Sequence, residues 1–236
     1  MKSPAPEDRV FTTEIKRRNH PCLSGKGYRR KRMNRHVLFV CVRNRVRSVF
    51  AEFYLQKMLK ERLGPAADDI SISSAGFYPK RLRDILDKAN ISPPEPFFDA
   101  DMSPVARRML EEKSIASPDG WRSRPLTPQH VLRADLIVVA LQWQKEEISE
   151  QYPEIRDIIF TFRELAAWGD NILFETFSGL PMNDDFWYSC EEDPPYVAKV
   201  IDEVEKLMDL GFERILMHLG FEGSSQSVTT GSAGGL

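Results

Sequence analysis

The chain alternates between continuous apolar runs and longer segments of helical spacing, from about residue 36 to residue 219. The runs at 37–42 and 134–141 are rich in β-branched residues, which predicts strands that are buried on both faces. Two shorter apolar runs predict two more strands, at 70–73 and 157–162. Helical segments separate the strands, mainly at 48–63, 103–113, 142–151, 163–168 and from 194 onward. Strands that alternate with helices predict a parallel sheet covered by helices in a single α/β domain.

Proline and glycine indicate where several of these helices begin or end. Ser103-Pro104, Thr127-Pro128 and Asp193-Pro194 each place a capping residue type directly before a proline, the order preferred at a helix N-terminus. A further short helix is predicted at 81–89, within a proline-rich segment at 79–101. Gly211 is predicted to interrupt or end the last helix, because glycine favours helix termini.

The two ends of the chain lack this pattern. Residues 1–35 contain eleven Lys and Arg residues against three acidic ones, a net charge of +8, so the remaining residues carry −10. We expect this basic arm to be a disordered extension; nucleic acid is a possible partner of the arm, whereas the acidic remainder argues against nucleic-acid binding by the main domain. Met33 lies just before the first apolar run and is an alternative natural start. Residues 221–236 are rich in Gly and Ser and predict a flexible tail, which leaves one domain at 36–220.

Composition excludes several classes of protein. Hydrophobic residues make up 42% and charged residues 29% of the chain, as in ordinary globular proteins. The sequence contains neither a membrane-spanning apolar run nor a secretory leader, and three cysteines cannot form a disulfide framework. We therefore expect a cytoplasmic protein without a membrane partner. The four histidines show no metal-ligand spacing and no nucleotide-binding glycine pattern is present, so we expect no metal and no cofactor.

The segment after the first predicted strand has the residue types of an oxyanion-binding loop. Cys41 ends the strand, Arg47 follows at the sixth position, and Ser48 begins a helix. The spacing alone is common by chance, but a loop between a buried strand and a helix can direct its backbone N–H groups at an anion. Arg47 can bind two phosphoryl oxygens, and the positive potential favours a Cys41 thiolate. The predicted chemistry is nucleophilic attack by Cys41 on a bound phosphoryl group.

Here the chain resembles the low-molecular-weight protein tyrosine phosphatases. The matching residues are Val37-Leu38-Phe39-Val40-Cys41, Asn44, Arg47-Ser48 and Ala51-Glu52, followed by Ser74-Ala75-Gly76, Ser123-Arg124-Pro125-Leu126-Thr127 and Ala134 to Val139. The resemblance spans most of 36 to about 210, with an insertion near 79–101. It implies a single three-layer domain with a four-stranded parallel sheet in the flavodoxin-like order 2-1-3-4. It also implies hydrolysis of phosphate monoesters through a phosphocysteine without metal.

The resemblance assigns roles to the loop. Cys41 is implied to be the nucleophile and Arg47 the phosphate clamp, while Asn44 braces the loop and Ser48 hydrogen-bonds the sulfur. The remaining residues of the loop are implied to surround the substrate phosphate, namely Val42, Arg43, Arg45 and Val46. The chain departs from the family pattern at three of its positions, where the family often has Gly for Arg43, Cys for Val46 and Pro for Val49.

The family also uses an aspartate before the last helix as the proton donor to the leaving group. Asp193-Pro194 matches the usual dipeptide but stands where a helix cap is expected. Asp184 and Asp185 lie nearer the family spacing, so we expect Asp184 to be the general acid, with Asp185 as the alternative. Trp187 is expected to form a wall of the substrate pocket.

Three functions agree with these residues. The first is a cysteine-dependent phosphatase acting on a phosphorylated protein, most simply on phosphotyrosine, or on small aryl phosphates. The second is a non-catalytic oxyanion-binding or regulatory module with the same fold. The third is an arsenate reductase, which needs an additional cysteine pair, whereas Cys22 lies in the basic arm and Cys190 stands alone.

Overall fold

The computed structural model of the protein describes residues 35–78, 80–90, 92, 97–167 and 194–221. Its centre is a sheet of four parallel strands, which are β1 (Arg35–Cys41), β2 (Ile70–Gly76), β3 (Leu136–Val139) and β4 (Ile159–Thr161). Their order is β2-β1-β3-β4, so β1 is central and Cys41 pairs with Gly76 at its carboxyl end. The predicted fold class and strand order are confirmed.

Seven helices surround the sheet within the described ranges. They are α1 (Arg47–Leu63), α2 (Lys80–Ala89), α3 (Pro104–Glu112), α4 (Pro128–Arg133), α5 (Gln142–Gln151), α6 (Phe162–Ala167) and α7 (Pro194–His218). Two 3₁₀ segments, Gly64–Asp69 and Pro153–Ile158, precede β2 and β4. The elements expected from the apolar pattern are all present, and most of their ends agree to within three residues.

The side chains of β1 alternate between two apolar cores. Val37 and Phe39 belong to the core formed with α1 and α7, where the Phe39 ring stacks on Phe162 at 5.7 Å between centroids. Leu38 and Val40 belong to the core on the opposite face, which includes residues of α4 and α5. A strand that is buried on both faces explains the uninterrupted apolar run, because neither side chain of a neighbouring pair reaches solvent.

The prediction that Gly211 interrupts or ends the last helix is wrong. Helix α7 continues through Gly211 to His218. A Cβ on Gly211 would stand 3.3 Å from Cβ of Leu165 in α6, so the absent side chain lets the two helices pack closely. The glycine therefore serves a helix–helix contact between segments that are distant in sequence.

Helices α3 and α4 both begin at a proline, but their N-terminal caps differ. At α4, the Thr127 hydroxyl accepts from the His130 N–H at 3.4 Å, and His130 Nδ1 accepts from the Thr127 N–H at 3.2 Å. At α3, Ser103 is the N-cap residue before Pro104, as predicted, but its side chain makes no capping hydrogen bond. Its backbone N–H donates instead to the Arg45 carbonyl at 2.9 Å. The start of α3 is thus fixed by a contact with the loop after β1.

The predicted basic arm and flexible tail lie outside the described residues, apart from Arg35 and Phe221, so the domain limits stay a prediction. None of the helices in the described ranges is long and apolar enough to cross a membrane. The cytoplasmic location also stays a prediction.

Gly76 holds the end of β2 against the loop after β1, and we expect Gly76→Ala to destabilise the protein by about 1–3 kcal/mol, as overpacking usually does. An added Cβ would stand 2.3 Å from Cε1 of Phe98 and 2.8 Å from the Val42 carbonyl oxygen. Urea unfolding measures the loss. Ser71→Ala, at an exposed position of the same strand, is the control and should change stability by less than about 0.5 kcal/mol. Equal stabilities of Gly76→Ala and wild type would contradict the close packing.

Candidate active site

The candidate site lies at the carboxyl end of the central strand, in the loop 42–46 between β1 and α1. In parallel α/β sheets this edge is where ligands bind, because the loops that follow the strands converge there. Cys41 is the last residue of β1, and Arg47 is the first residue of α1. The loop is tied to the sheet from below, since the Cys41 carbonyl accepts from the Phe77 N–H at 2.8 Å.

Cys41 has a polar partner although it is almost fully buried. Its residue is 2% exposed and borders the apolar core of α1 and α7. The sulfur lies 3.0 Å from the Ser48 hydroxyl oxygen, which is itself buried in the first turn of α1. The Ser48 hydroxyl is thus a polar partner for a sulfur that otherwise borders the apolar core.

Arg47 is a buried cation at the start of α1. The residue is only 8% exposed, and among the residues that the structure describes no side chain forms an ion pair or hydrogen bond with its guanidinium. A buried charge without a counter-ion is costly, so an anion that enters the loop is bound favourably. The guanidinium fork suits two oxygens of a phosphoryl group.

The backbone of the loop adds further donors. Within the described part of the chain, the N–H groups of Val42, Asn44 and Val46 make no hydrogen bond. Helix α1 begins directly afterwards, its cap residue makes no side-chain hydrogen bond, and its first turn contains no acidic residue. Free N–H groups at an uncompensated helix N-terminus give positive potential, which suits a phosphate.

Asn44 holds the loop in its bent conformation. Its φ of 56° lies in the left-handed region, which asparagine tolerates better than most residues, and the side chain is fully buried. The amide nitrogen donates to the hydroxyls of Ser48 at 3.0 Å and Ser74 at 2.7 Å. The amide oxygen accepts from the Arg124 N–H at 3.1 Å. The amide thus joins the loop to the end of β2 and to the segment around Arg124.

The hydrogen bonds continue from Ser74 to a buried carboxylate. The Ser74 hydroxyl donates to Oε2 of Glu52 at 2.5 Å, and Nη2 of Arg124 lies 3.3 Å from Oε1 of the same carboxylate. Nε of Arg124 also donates to the Ser74 carbonyl at 2.7 Å. Burial raises the pKa of Glu52, while its hydrogen bond with Ser74 and the charge of Arg124 oppose that increase. We call the residues Arg124, Glu52, Ser74, Asn44 and Ser48 the anchor chain.

Aromatic side chains and two arginines lie next to the loop. Tyr78 and Phe98 flank Phe97, with ring centroids 4.6 and 4.9 Å from the Phe97 centroid. The Arg43 guanidinium lies 5.6 Å above the Phe97 ring, and Nε of Arg45 donates to the Asp101 carbonyl at 2.7 Å. The segment around 97–103 therefore forms one side of the site and adds apolar rings to a cationic loop.

The structure brings the predicted loop residues together around Cys41 and Arg47. Val42 and Val46 are buried, whereas Arg43 and Arg45 are half-buried. The predicted acids Asp184 and Asp185, the alternative Asp193, and the predicted wall residue Trp187 all lie outside the described residues. Among the residues that are described, no group of three or more His, Cys, Asp and Glu could hold a metal ion.

Comparisons with known proteins identify relatives of this architecture. No protein-family model matches the chain. A protein-arginine-phosphatase of Bacillus subtilis (strain 168) is 29% identical over 143 residues, which are 61% of this chain and 80% of the relative. The solution structure of a low-molecular-weight protein tyrosine phosphatase from Bacillus subtilis is 25% identical, with a TM-score of 0.52, over 77% of this chain and 97% of that one. The resemblance to the low-molecular-weight phosphatases is confirmed, since the chain is similar to them in sequence and in fold.

A third relative bears on the chemistry of such a site. It is a Cys-to-Ser variant of an arginine phosphatase, 25% identical with a TM-score of 0.53 over 77% of this chain and 95% of that one. That structure carries a phosphorylated active-site serine. The expectations of a phosphatase, a phosphoric monoester hydrolase, and of a covalent phosphoenzyme are confirmed at the level of the family.

Sequence reasoning assigned no role to three residues of the anchor chain. Glu52, Ser74 and Arg124 each stand in a segment that carried the family resemblance, but no role followed from that. The available signal was that all three are polar residues in short motifs next to apolar elements. Their connection through space depends on β2 lying beside β1, which local patterns do not reveal.

Asn44 offers a test of how the loop is held. We expect Asn44→Gly to destabilise the protein by about 2–4 kcal/mol, because three buried hydrogen bonds are lost while glycine accepts the backbone conformation. Asn44→Ala should cost about 1 kcal/mol more, because alanine is strained at positive φ. Urea unfolding at pH 7 measures both values.

Asn90 is the matched control, because it is exposed and has a φ of 54°. Its alanine and glycine variants should differ from each other by the same amount, about 1 kcal/mol, while Asn90→Gly stays within about 0.5 kcal/mol of wild type. A loss at Asn44→Gly no larger than at Asn90→Gly would show that the buried hydrogen bonds contribute little.

Proposed function

We propose that this protein hydrolyses aryl phosphate monoesters, with phosphotyrosine as the protein-bound substrate, through a phosphocysteine at Cys41. The observation that carries the proposal is the pairing of a Cys41 sulfur 3.0 Å from the Ser48 hydroxyl with a buried Arg47 at the N-terminus of α1. These groups supply a nucleophile, a donor to the sulfur and a cation for the phosphoryl oxygens.

The first step is transfer of the phosphoryl group to the enzyme. The Cys41 thiolate attacks phosphorus, so that an S–P bond forms while the P–O bond to the leaving group breaks. Arg47 and the free N–H groups of the loop stabilise the negative charge on the three phosphoryl oxygens. A proton from Asp184, or from Asp185, reaches the departing oxygen and releases a neutral phenol.

The second step regenerates the enzyme. The carboxylate left by the first step takes a proton from water, and the resulting hydroxide attacks phosphorus. The S–P bond breaks, phosphate leaves, and the Cys41 thiolate is restored. The Ser48 hydroxyl donates to the sulfur as it departs from phosphorus, which makes the thiolate a better leaving group.

The surroundings of the loop favour an aryl substrate. Tyr78, Phe97 and Phe98 place aromatic rings beside the loop, where a phenyl ester can stack. Arg43 and Arg45 add two positive charges to the loop. They favour an anionic ester and disfavour a phosphorylated arginine, whose leaving group departs as a cation.

Phosphoarginine in protein is the second candidate substrate, because a relative covering 61% of this chain is a protein-arginine-phosphatase. In that reaction a P–N bond breaks instead of a P–O bond, and the nucleophile and clamp are unchanged. The choice between the two substrates therefore depends on Arg43, Arg45 and the aromatic rings beside the loop rather than on Cys41.

We expect wild-type protein to hydrolyse para-nitrophenyl phosphate and a phosphotyrosine peptide in the presence of EDTA. Hydrolysis of a phosphoarginine peptide should be at least about tenfold slower in kcat/KM, a difference of about 1.4 kcal/mol in transition-state binding. Cys41→Ser should reduce all three activities to background. Phosphate release measures the rates, and a preference for the phosphoarginine peptide would reverse the substrate assignment. Phosphate binding without turnover of any substrate would indicate the non-catalytic module.

The general acid is tested separately. We expect Asp184→Ala to reduce kcat for para-nitrophenyl phosphate about 10²–10⁴-fold, because the leaving phenoxide then departs without a proton. Asp185→Ala and Asp193→Ala are the comparisons, measured in the same assay. The largest loss at either of these two positions would move the acid to that residue.

A further inference from the structure

We propose that Glu52 is a positioning residue for Cys41, and that its carboxylate fixes the direction of the hydrogen bonds that end at the sulfur. The inference rests on the proposed role of Cys41 as nucleophile, although its test does not depend on turnover. Glu52 lies in the second turn of α1, is 6% exposed, and has no part in the two chemical steps.

Glu52 determines which groups donate and which accept along the anchor chain. An ionised carboxylate can only accept hydrogen bonds, so the Ser74 hydroxyl must donate to Glu52. The distance of 2.5 Å between these oxygens is typical of a bond from a hydroxyl to a carboxylate. With its own hydrogen committed to Glu52, the Ser74 oxygen is left as an acceptor for the amide of Asn44, at 2.7 Å.

The orientation of the Asn44 amide is fixed from the other side. A backbone N–H cannot accept, so the Arg124 N–H must face the amide oxygen of Asn44, at 3.1 Å. The two amide hydrogens then point to Ser74 and Ser48. Both hydroxyls become acceptors of the same NH₂ group.

The direction of the last hydrogen bond, between Ser48 and Cys41, follows from these donor and acceptor roles. The Ser48 oxygen accepts from Asn44, and its own hydrogen has the Cys41 sulfur as acceptor at 3.0 Å. A hydroxyl that donates to sulfur favours the thiolate over the thiol, since the thiolate is the stronger acceptor. A carboxylate three side chains away thus biases the nucleophile toward its reactive form.

Glutamine at this position would break the order while nearly preserving the volume. If its oxygen faces Ser74, its NH₂ group opposes the Arg124 guanidinium. If its NH₂ group faces Ser74, the Ser74 hydroxyl loses its acceptor. The NH₂ groups of the glutamine and of Asn44 then both donate to the same Ser74 oxygen. Either orientation places two donors against each other, so the carboxylate is required by charge and not by shape.

The experiment is the pH profile of Cys41 alkylation by iodoacetamide, followed by peptide mass spectrometry. We expect Glu52→Gln to raise the midpoint of the profile by about one pH unit, a tenfold change in the thiol–thiolate equilibrium, because the Ser48 hydroxyl is no longer directed at the sulfur. Loss of the negative charge alone would lower the midpoint, so the direction of the shift distinguishes the two effects. Cys22 and Cys190 in the same samples provide internal references and should be unchanged. The charged groups of the loop and helix start, Arg43, Arg45 and Arg47, are the same in every variant.

Glu203→Gln is the matched control. Glu203 is the other buried glutamate of the described chain, 4% exposed in α7 and 3.1 Å from Nη2 of Arg163. Its variant should lose stability in urea unfolding without moving the Cys41 profile. An unchanged profile in Glu52→Gln, or an equal shift in both variants, would overturn the proposal.

Ser74→Ala decides the matter if Glu52→Gln does not fold. It removes the link between Glu52 and Asn44 while Glu52 keeps its ion pair with Arg124, and it should also raise the Cys41 midpoint. Ser73→Ala, the neighbour that bonds to His36 at 2.8 Å, is its control and should leave the midpoint unchanged. No shift in Ser74→Ala would also overturn the proposal. If wild type does not hydrolyse para-nitrophenyl phosphate but the alkylation profiles shift as expected, the proposed function is rejected and the role of Glu52 is retained.

Discussion

The bent loop between β1 and α1 is the constraint on which the rest of the site depends. A loop that leaves N–H groups without backbone partners is unstable unless other contacts fix it, since those groups lose hydrogen bonds to water when they are buried. Here the fixing contacts come from outside the loop. Asn44 ties it to Ser74 and Arg124, while the absence of a side chain at Gly76 lets the end of β2 approach it.

The same arrangement separates two buried charges that would otherwise neutralise each other. Glu52 and Arg47 both lie in the first two turns of α1, five residues apart, yet Glu52 pairs with Arg124 and the Arg47 guanidinium stays available for an anion. Five residues correspond to a rotation of about 140° around the helix axis, so the two side chains leave α1 on different sides. The Glu52 carboxylate is paired within the domain, and in the proposed mechanism the substrate phosphate is the counter-ion of the Arg47 guanidinium.

The sequence predicted those parts of the fold that depend on local patterns. The apolar runs of β1 and β3 identified strands because burial on both faces removes all polar positions. Gly211 was misinterpreted because its small size serves a contact with Leu165, which is far away in sequence. The start of α3 at Ser103-Pro104 was predicted correctly, but the hydrogen bond from the Ser103 N–H to the Arg45 carbonyl joins distant segments and could not be predicted from local patterns.

In the candidate site as well, the sequence predicted the residues that are close together in the chain and missed those that meet only in the folded structure. Cys41, Arg47 and Ser48 could be proposed as nucleophile, clamp and helix start because they lie within eight residues of each other in the chain. Glu52 could not, because a glutamate in an early helical turn usually faces solvent, and its burial depends on Ser74 and Arg124 meeting it there.

In the proposed mechanism, reactivity and substrate choice depend on different parts of this fold. The anchor chain approaches the sulfur from the side of β2 and ends at Ser48, inside the domain. Arg43 and Arg45 contact instead the segment around 97–103, through the Phe97 ring and the Asp101 carbonyl. Substitutions at the second set can change which phosphorylated group enters the loop while the first set still stabilises the nucleophile. Under this proposal one phosphocysteine chemistry can act on different leaving groups, because the charges that face the substrate are on other side chains than the buried hydrogen bonds.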